Sequence, residues 1–76
     1  MESVAAISVF VQVAEIGSFV GAGRALGVSA SAVGKRIARL EETLGVPLFK
    51  RTTRSVTLTV DGQRLLDRSR RIIEEF

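Results

Sequence analysis

The side chains in this sequence that could do chemistry are mostly arginines, and they are not evenly spread. Nine of the eleven cations are Arg, and seven of the eleven fall between residues 24 and 54: Arg24, Lys35, Arg36, Arg39, Lys50, Arg51 and Arg54, with only Glu41 and Glu42 to offset them. The first 23 residues hold Glu2 and Glu15 and no cation, and residues 55–76 balance four arginines against four carboxylates. The net charge of +3 therefore conceals a concentrated positive field in the middle of the chain. A guanidinium is flat and presents paired N–H donors, which suit phosphate oxygens and base edges better than an ammonium does. The chemistry this implies is recognition of a polyanion, with nucleic acid ahead of an anionic membrane surface.

Other chemistries lack their residues. There is no cysteine and no histidine, so thiolates, disulfides, the commonest general base and the commonest metal ligands are absent together. The serines have no partner base and the carboxylates no pairing logic, so neither an enzyme nor a cofactor or metal site is expected. A chain without cysteine fits the cytoplasm best. No apolar run approaches the length of a membrane span, and the N-terminus lacks a basic-then-apolar signal pattern.

The elements that must position the arginines can be read from apolar spacing. Seventy-six residues, 46% apolar and 25% charged, make one small globular domain with a compact core. Ile7, Phe10, Val11 and Ala14 fall at helical spacing over residues 4–16, with Ser3 as a possible cap and Gly17 as a stop. Ser18 can cap a second helix through Leu26, and Gly27 can end it. After Val28, Ser29 can cap a third helix, on which Val33, Ile37, Leu40 and Leu44 recur at i, i+4, i+7 and i+11 as far as Gly45. Pro47 then breaks the helical period. Two short extended pieces flank the polar turn at residues 52–55, the second alternating Val56 and Leu58 with Thr57 and Thr59. Thr59 can cap a last helix whose Leu65, Leu66, Ser69, Ile72, Ile73 and Phe76 share a face. That helix runs to the last residue without a stop signal, so the natural chain is expected to continue.

Residues 18–37 carry the specific signal. Two helices that cross steeply through a short turn need a tiny residue at their closest approach, a turn residue tolerant of positive φ, and apolar residues on the inner face of the second helix. Gly23, Gly27 and the set Val28, Val33 and Ile37 meet these needs in order. Gly21 and Gly23 each cost about 1 kcal/mol relative to Ala in a helix, and only Gly23 has a packing reason. The second helix would turn outward Ala30, Ser31, Gly34, Lys35 and Ala38, with Arg36 and Arg39 on its flanks. Small residues there let a helix lie close to a groove floor while the cations reach phosphates or guanine edges. A helix-turn-helix followed by strand, basic turn and strand describes a winged helix, with Lys50, Arg51 and Arg54 toward the wing tip. The expected fold is thus mainly α: a three-helix core, a two-stranded β wing and a C-terminal linker helix. The expected division is a winged helix-turn-helix DNA-binding unit over residues 1–59 and the start of a linker or dimerisation helix over 60–76.

The run Phe10-x-x-Val13-Ala14-x-x-Gly17-Ser18-Phe19, then Ala22, Ala25-Leu26-x-Val28-Ser29 and Ala32-Val33, leads into Ile37-x-x-Leu40-Glu41-x-x-Leu44-Gly45-Val46-x-Leu48-Phe49-x-Arg51 and Leu58-Thr59-x-x-Gly62. This pattern covers nearly the whole chain and resembles the N-terminal domain of LysR-type transcriptional regulators; its Leu-Glu-x-x-Leu-Gly-x-x-Leu-Phe-x-Arg stretch is the most specific part. The resemblance implies a winged helix-turn-helix that binds promoter DNA as a dimer or tetramer, with a small-molecule effector sensed by a C-terminal domain outside this chain. It also implies that Ser29 and Ser31 open the recognition helix near phosphates, that Lys35 reads a base or holds a phosphate, and that Arg51 and Arg54 belong to a wing that enters the minor groove. The chain departs from the usual family pattern in having Ala30-Ser31 where Gln-Pro or a close variant is common, and Gly34 where Ser is usual.

Together these readings give an expected DNA-contacting set of Ser18, Ser29, Ala30, Ser31, Gly34, Lys35, Arg36, Arg39, Lys50, Arg51 and Arg54. The broad apolar stripe of the last helix (Leu65, Leu66, Ile72, Ile73 and Phe76) is expected to pair with a second subunit, because two half-sites one turn apart need a two-fold partner. The competing reading packs that stripe on the first helix, where Val9, Val13 and Ile16 look under-employed. A winged helix used for protein contact alone, a different winged-helix regulator, an RNA-binding module and a membrane-lying last helix are weaker alternatives. Few aromatics are present, and the last helix is balanced in charge.

Overall fold

The computed structural model describes residues 4–52 and 56–74. In chain order these form α1 (Val4–Ile16), α2 (Phe19–Leu26), α3 (Ala30–Leu44), β1 (Phe49–Arg51), β2 (Val56–Leu58) and α4 (Val60–Glu74). β1 and β2 are antiparallel, with Phe49 opposite Leu58, Lys50 opposite Thr57 and Arg51 opposite Val56. This is the winged helix-turn-helix expected from the sequence. The proposed cap at Ser3 lies outside the described residues.

Three serine and threonine hydroxyls start the later helices by accepting from orphan amides three positions on. Ser18 Oγ accepts from Gly21 N–H at 3.0 Å, Ser29 Oγ from Ala32 N–H at 3.1 Å and Thr59 Oγ1 from Gly62 N–H at 3.0 Å. The Thr59 hydroxyl also donates to Pro47 O at 2.7 Å, which ties the start of α4 to the segment leading into the wing. The helix-turn-helix turn closes at Gly27, whose φ of 75° is left-handed. The Val28 amide then donates back to Gly23 O at 2.9 Å, the Schellman pattern that a left-handed residue makes possible.

α1 sits at the centre and packs against α2, α3, α4 and β2. A helix surrounded in this way must be apolar on most of its circumference. Phe10 and Val11 are buried as expected, and Ile7 and Ala14 are half-buried. Val9 and Val13 are buried too, so they are fully employed within one chain. Ile37, Leu40, Leu48 and Val33 complete the interior with Ala22, Phe49 and Leu66. The Phe10 and Phe49 rings lie 5.4 Å apart between centroids, which joins α1 to the root of the wing.

Two members of the predicted apolar stripe are not in this core. Leu44 is 47% exposed and Val28 40% exposed. Leu44 stands on the last turn of α3 and lines an open groove with Val46, Leu48, Asp61, Arg64, Leu65 and Arg68. Val28 follows the turn glycine and lines a second groove, with Ala5, Ser8, Val9, Leu26 and Arg36. Leu66 also departs from expectation. It is 4% exposed and belongs to the core of its own chain, so its bulk stabilises the monomer and is not available to a second subunit.

Candidate nucleic-acid interface

The recognition face is built by the period of α3. Val33, Ile37 and Leu40 turn inward and are buried. At about 100° per residue, the opposite side presents Ser31, Lys35, Ala38 and Arg39, and all four are exposed. Ser29 is exposed just ahead of them, with its hydroxyl oxygen occupied as cap acceptor and its O–H still able to donate. Ala30 and Gly34 were expected on the same outward face, but both are half-buried. The reason lies in α2. A Cβ built at Gly34 would meet the Phe19 ring at 3.6 and 3.7 Å, and the Ala30 amide lies 3.4 Å from where a Gly23 Cβ would stand. Both positions lie on the side of α3 that meets α2, so they form the edge of the outward face, not its middle.

Arg36 is exposed on another flank, where it lines the groove beside Val28 and the first half of α1. Ser18 is half-buried at the start of α2. The structure therefore gathers Ser31, Lys35 and Arg39 into one stripe and sets Arg36 to its side.

The wing sorts its cations by strand alternation. Phe49 is buried while Lys50 and Arg51 are exposed. Phe49 and Arg51 share a face, and Lys50 points to the other. Arg51 uses its face to stack on α2: its guanidinium carbon lies 4.4 Å from the centroid of the Phe19 ring. The same ring packs edge-on to Phe49, with centroids 6.2 Å apart and planes at 81°. Phe19 thus touches the wing root on one side and the Gly34 position of α3 on the other, so wing and recognition helix are neighbours. Arg54 lies outside the described residues.

Glu41 was not among the expected site residues, yet it fixes where the wing leaves α3. Its Oε2 accepts from the Leu48 amide at 2.7 Å and from the Phe49 amide at 3.3 Å. The signal was in the sequence as the fixed Leu-Glu-x-x-Leu-Gly-x-x-Leu-Phe run. Leu40 and Leu48 fill the core, Gly45 ends α3 in a left-handed conformation, and Glu41 caps the two amides that start β1. Gly62, in the same long pattern, is explained by packing, because a Cβ there would run into the Leu48 carbonyl oxygen and the Leu58 side chain.

Residues 4–63 match the family described as bacterial regulatory helix-turn-helix protein, lysR family. An uncharacterised HTH-type transcriptional regulator of Sinorhizobium fredii is 51% identical over 74 residues, which is 97% of this chain and 25% of that protein. The HTH-type transcriptional regulator CrgA of Neisseria meningitidis is 48% identical over 70 residues, 92% of this chain and 23% of CrgA. The chain thus spans about a quarter of the length of these curated relatives. Among solved structures, the DNA-binding domain of CbnR in complex with DNA superposes with a TM-score of 0.91 at 34% identity, covering 96% of this chain and 84% of that one. The BenM DNA-binding domain on its catB site 1 DNA gives a TM-score of 0.93 at 27% identity, covering 97% and 82%. The chain belongs to the LysR family of bacterial helix-turn-helix regulators.

Proposed function

We propose that this domain binds duplex DNA in a sequence-dependent way, as the promoter-reading part of a longer LysR-type transcriptional regulator. The observation that carries the reading is the exposed stripe Ser31, Lys35 and Arg39 on α3, with the wing cations Lys50 and Arg51 on the neighbouring element. It is supported by the matching domains of CbnR and BenM, whose structures are complexes with DNA. α3 lies in a major groove, where Ser31 and Lys35 read base edges and Arg39 holds phosphate. Arg36 and Lys50 hold the backbone, together with Ser29 and the capped start of α2 at Ser18. Arg54 reaches an adjacent minor groove and responds to its width, with Arg51 beside it on the wing strand. With side chains this small along α3, water and DNA shape carry part of the specificity. α4, from Val60, begins the linker helix through which two copies pair, and the remainder of the natural protein supplies effector sensing and higher assembly. The natural location is the bacterial cytoplasm; among the described residues no helix is long and apolar enough to cross a membrane. The domain itself performs no catalysis.

The test is binding to duplexes selected from a random pool, followed by fluorescence anisotropy. Raising salt from about 50 to 200 mM should weaken binding by about 10³ or more if several phosphates are neutralised per dimer. Lys35→Ala should lower affinity and relax sequence preference, by about 1–3 kcal/mol if it makes a good base contact. Lys50→Ala should weaken all duplexes alike and lower the salt slope by about 1. Binding of both variants indistinguishable from wild type would overturn the assignment, and salt-independent or absent binding would favour a winged helix used for protein contact alone.

A further inference from the structure

Arg51 differs from the other interface cations in how it is held. Lys35 and Arg39 stand out from α3 into solvent, where a long side chain must give up rotamer freedom when it grips a partner. The Arg51 guanidinium instead sits over the Phe19 ring, with its carbon 4.4 Å from the centroid. Phe19 is itself fixed: it is half-buried, packs edge-on to Phe49, and lies against the backbone of α3 at Gly34. A ring carries no formal charge. It therefore orients the guanidinium without cancelling its positive charge, as a carboxylate partner would. Phe19 is also the first residue of α2, capped by Ser18.

We infer that Phe19 is a positioning residue for DNA binding: its ring pre-orients Arg51 for a backbone phosphate. This rests on the DNA-binding reading given above. Because the residue acts through Arg51, the effect of changing it must vanish when Arg51 is gone. That requirement separates positioning from a general packing role.

The experiment is a double-mutant cycle on the intact chain, with affinity for a selected duplex measured by anisotropy and folding followed by circular dichroism. Phe19→Leu keeps the bulk of the core contact and removes the aromatic face. It should weaken binding about two- to fivefold, the range of an exposed cation–π contact. Phe19→Trp, which offers a better face, should restore wild-type affinity. Arg51→Ala should weaken binding by more than Phe19→Leu does, and adding Phe19→Leu to Arg51→Ala should change nothing further. Equal losses from Phe19→Leu with and without Arg51 would overturn the inference and leave the DNA-binding reading standing. Unchanged affinity of Arg51→Ala would overturn both the inference and the place of Arg51 in the interface. Thermal melts at the binding temperature keep loss of fold distinct from loss of orientation.

Discussion

Gly34 shows how a single atom decides what a position does. Ser is usual here in the family, and outward placement made Gly34 a candidate for contact with a groove. In the structure it is half-buried on the side of α3 that meets Phe19, and a Cβ there would stand 3.6 Å from the ring, an ordinary van der Waals distance. Gly34→Ala therefore adds a contact and removes the helix penalty of glycine, about 1 kcal/mol. The melting temperature should rise by about 4–8 °C, with DNA affinity unchanged, as read by circular dichroism and anisotropy. A fall in melting temperature would mean that the ring cannot accept the methyl group. Glu41 is the opposite case, a charged residue whose carboxylate is turned to backbone amides of its own chain. Replacing it with Ala strands the Leu48 and Phe49 amides and should cost about 1–3 kcal/mol in a denaturant melt. Glu41→Gln keeps a carbonyl oxygen for them and should cost less. Equal losses from the two variants would show that the negative charge at Glu41 matters, not the acceptor.

At the scale of elements, the helices were legible because their ends are written locally. Ser18, Ser29 and Thr59 hydroxyls and the glycines at 17, 27 and 45 mark starts and stops without reference to the rest of the molecule. What covers a face is not written locally. Leu44 continues the i, i+4, i+7 spacing of Val33, Ile37 and Leu40, but it is exposed and lines a groove. Val9 and Val13 looked surplus because the central position of α1 arises from contacts distant in sequence. The same limit hid the reason for Gly21. A Cβ there would lie 2.7 Å from Ile16 Cγ2, whereas one at Gly23 would lie 2.6 Å from the Val28 carbonyl oxygen. Ile16 is 44% exposed and can turn away, but the Val28 carbonyl is fixed backbone of the turn. Gly21→Ala should accordingly leave stability nearly unchanged, its helix gain offsetting a small side-chain shift. Gly23→Ala should cost about 1–3 kcal/mol of overpacking and spread α2 from α3. Matching melting temperatures for the two variants would show that the turn gives way more easily than its hydrogen bonding implies.

The domain measures 33 × 26 × 21 Å, and its size sets the last question. Half-sites for paired recognition helices are spaced about 34–36 Å apart on one face of a duplex. One copy has a single recognition helix and is no longer than that spacing, so reading two half-sites takes two copies held at a fixed distance. α4 is the element with residues to spare. Its Leu66 and buried Ser69, whose hydroxyl donates to Leu65 O at 2.7 Å, are taken up within the chain. Leu65 is half-buried beside exposed Leu44; in the sequence Ile72 and Phe76 follow it at seven and eleven residues, while Phe76 and the Ile72 and Ile73 side chains lie outside what the structure describes. The two sets predict different behaviour. Leu66→Ala should lower stability by about 2–5 kcal/mol, as a cavity does, to the same extent at every protein concentration. Ile72→Asp should leave the monomer folded and abolish any rise of melting temperature with concentration, because a partner that binds only the folded state stabilises by mass action. In sedimentation at tens of micromolar, wild type should run as a dimer and Ile72→Asp as a monomer. On DNA, Ile72→Asp should weaken binding to a duplex with two half-sites and leave binding to a single half-site as it was. A wild-type chain that stays monomeric at high micromolar concentration, with a concentration-independent melt, would place the two-fold contact elsewhere in the natural protein.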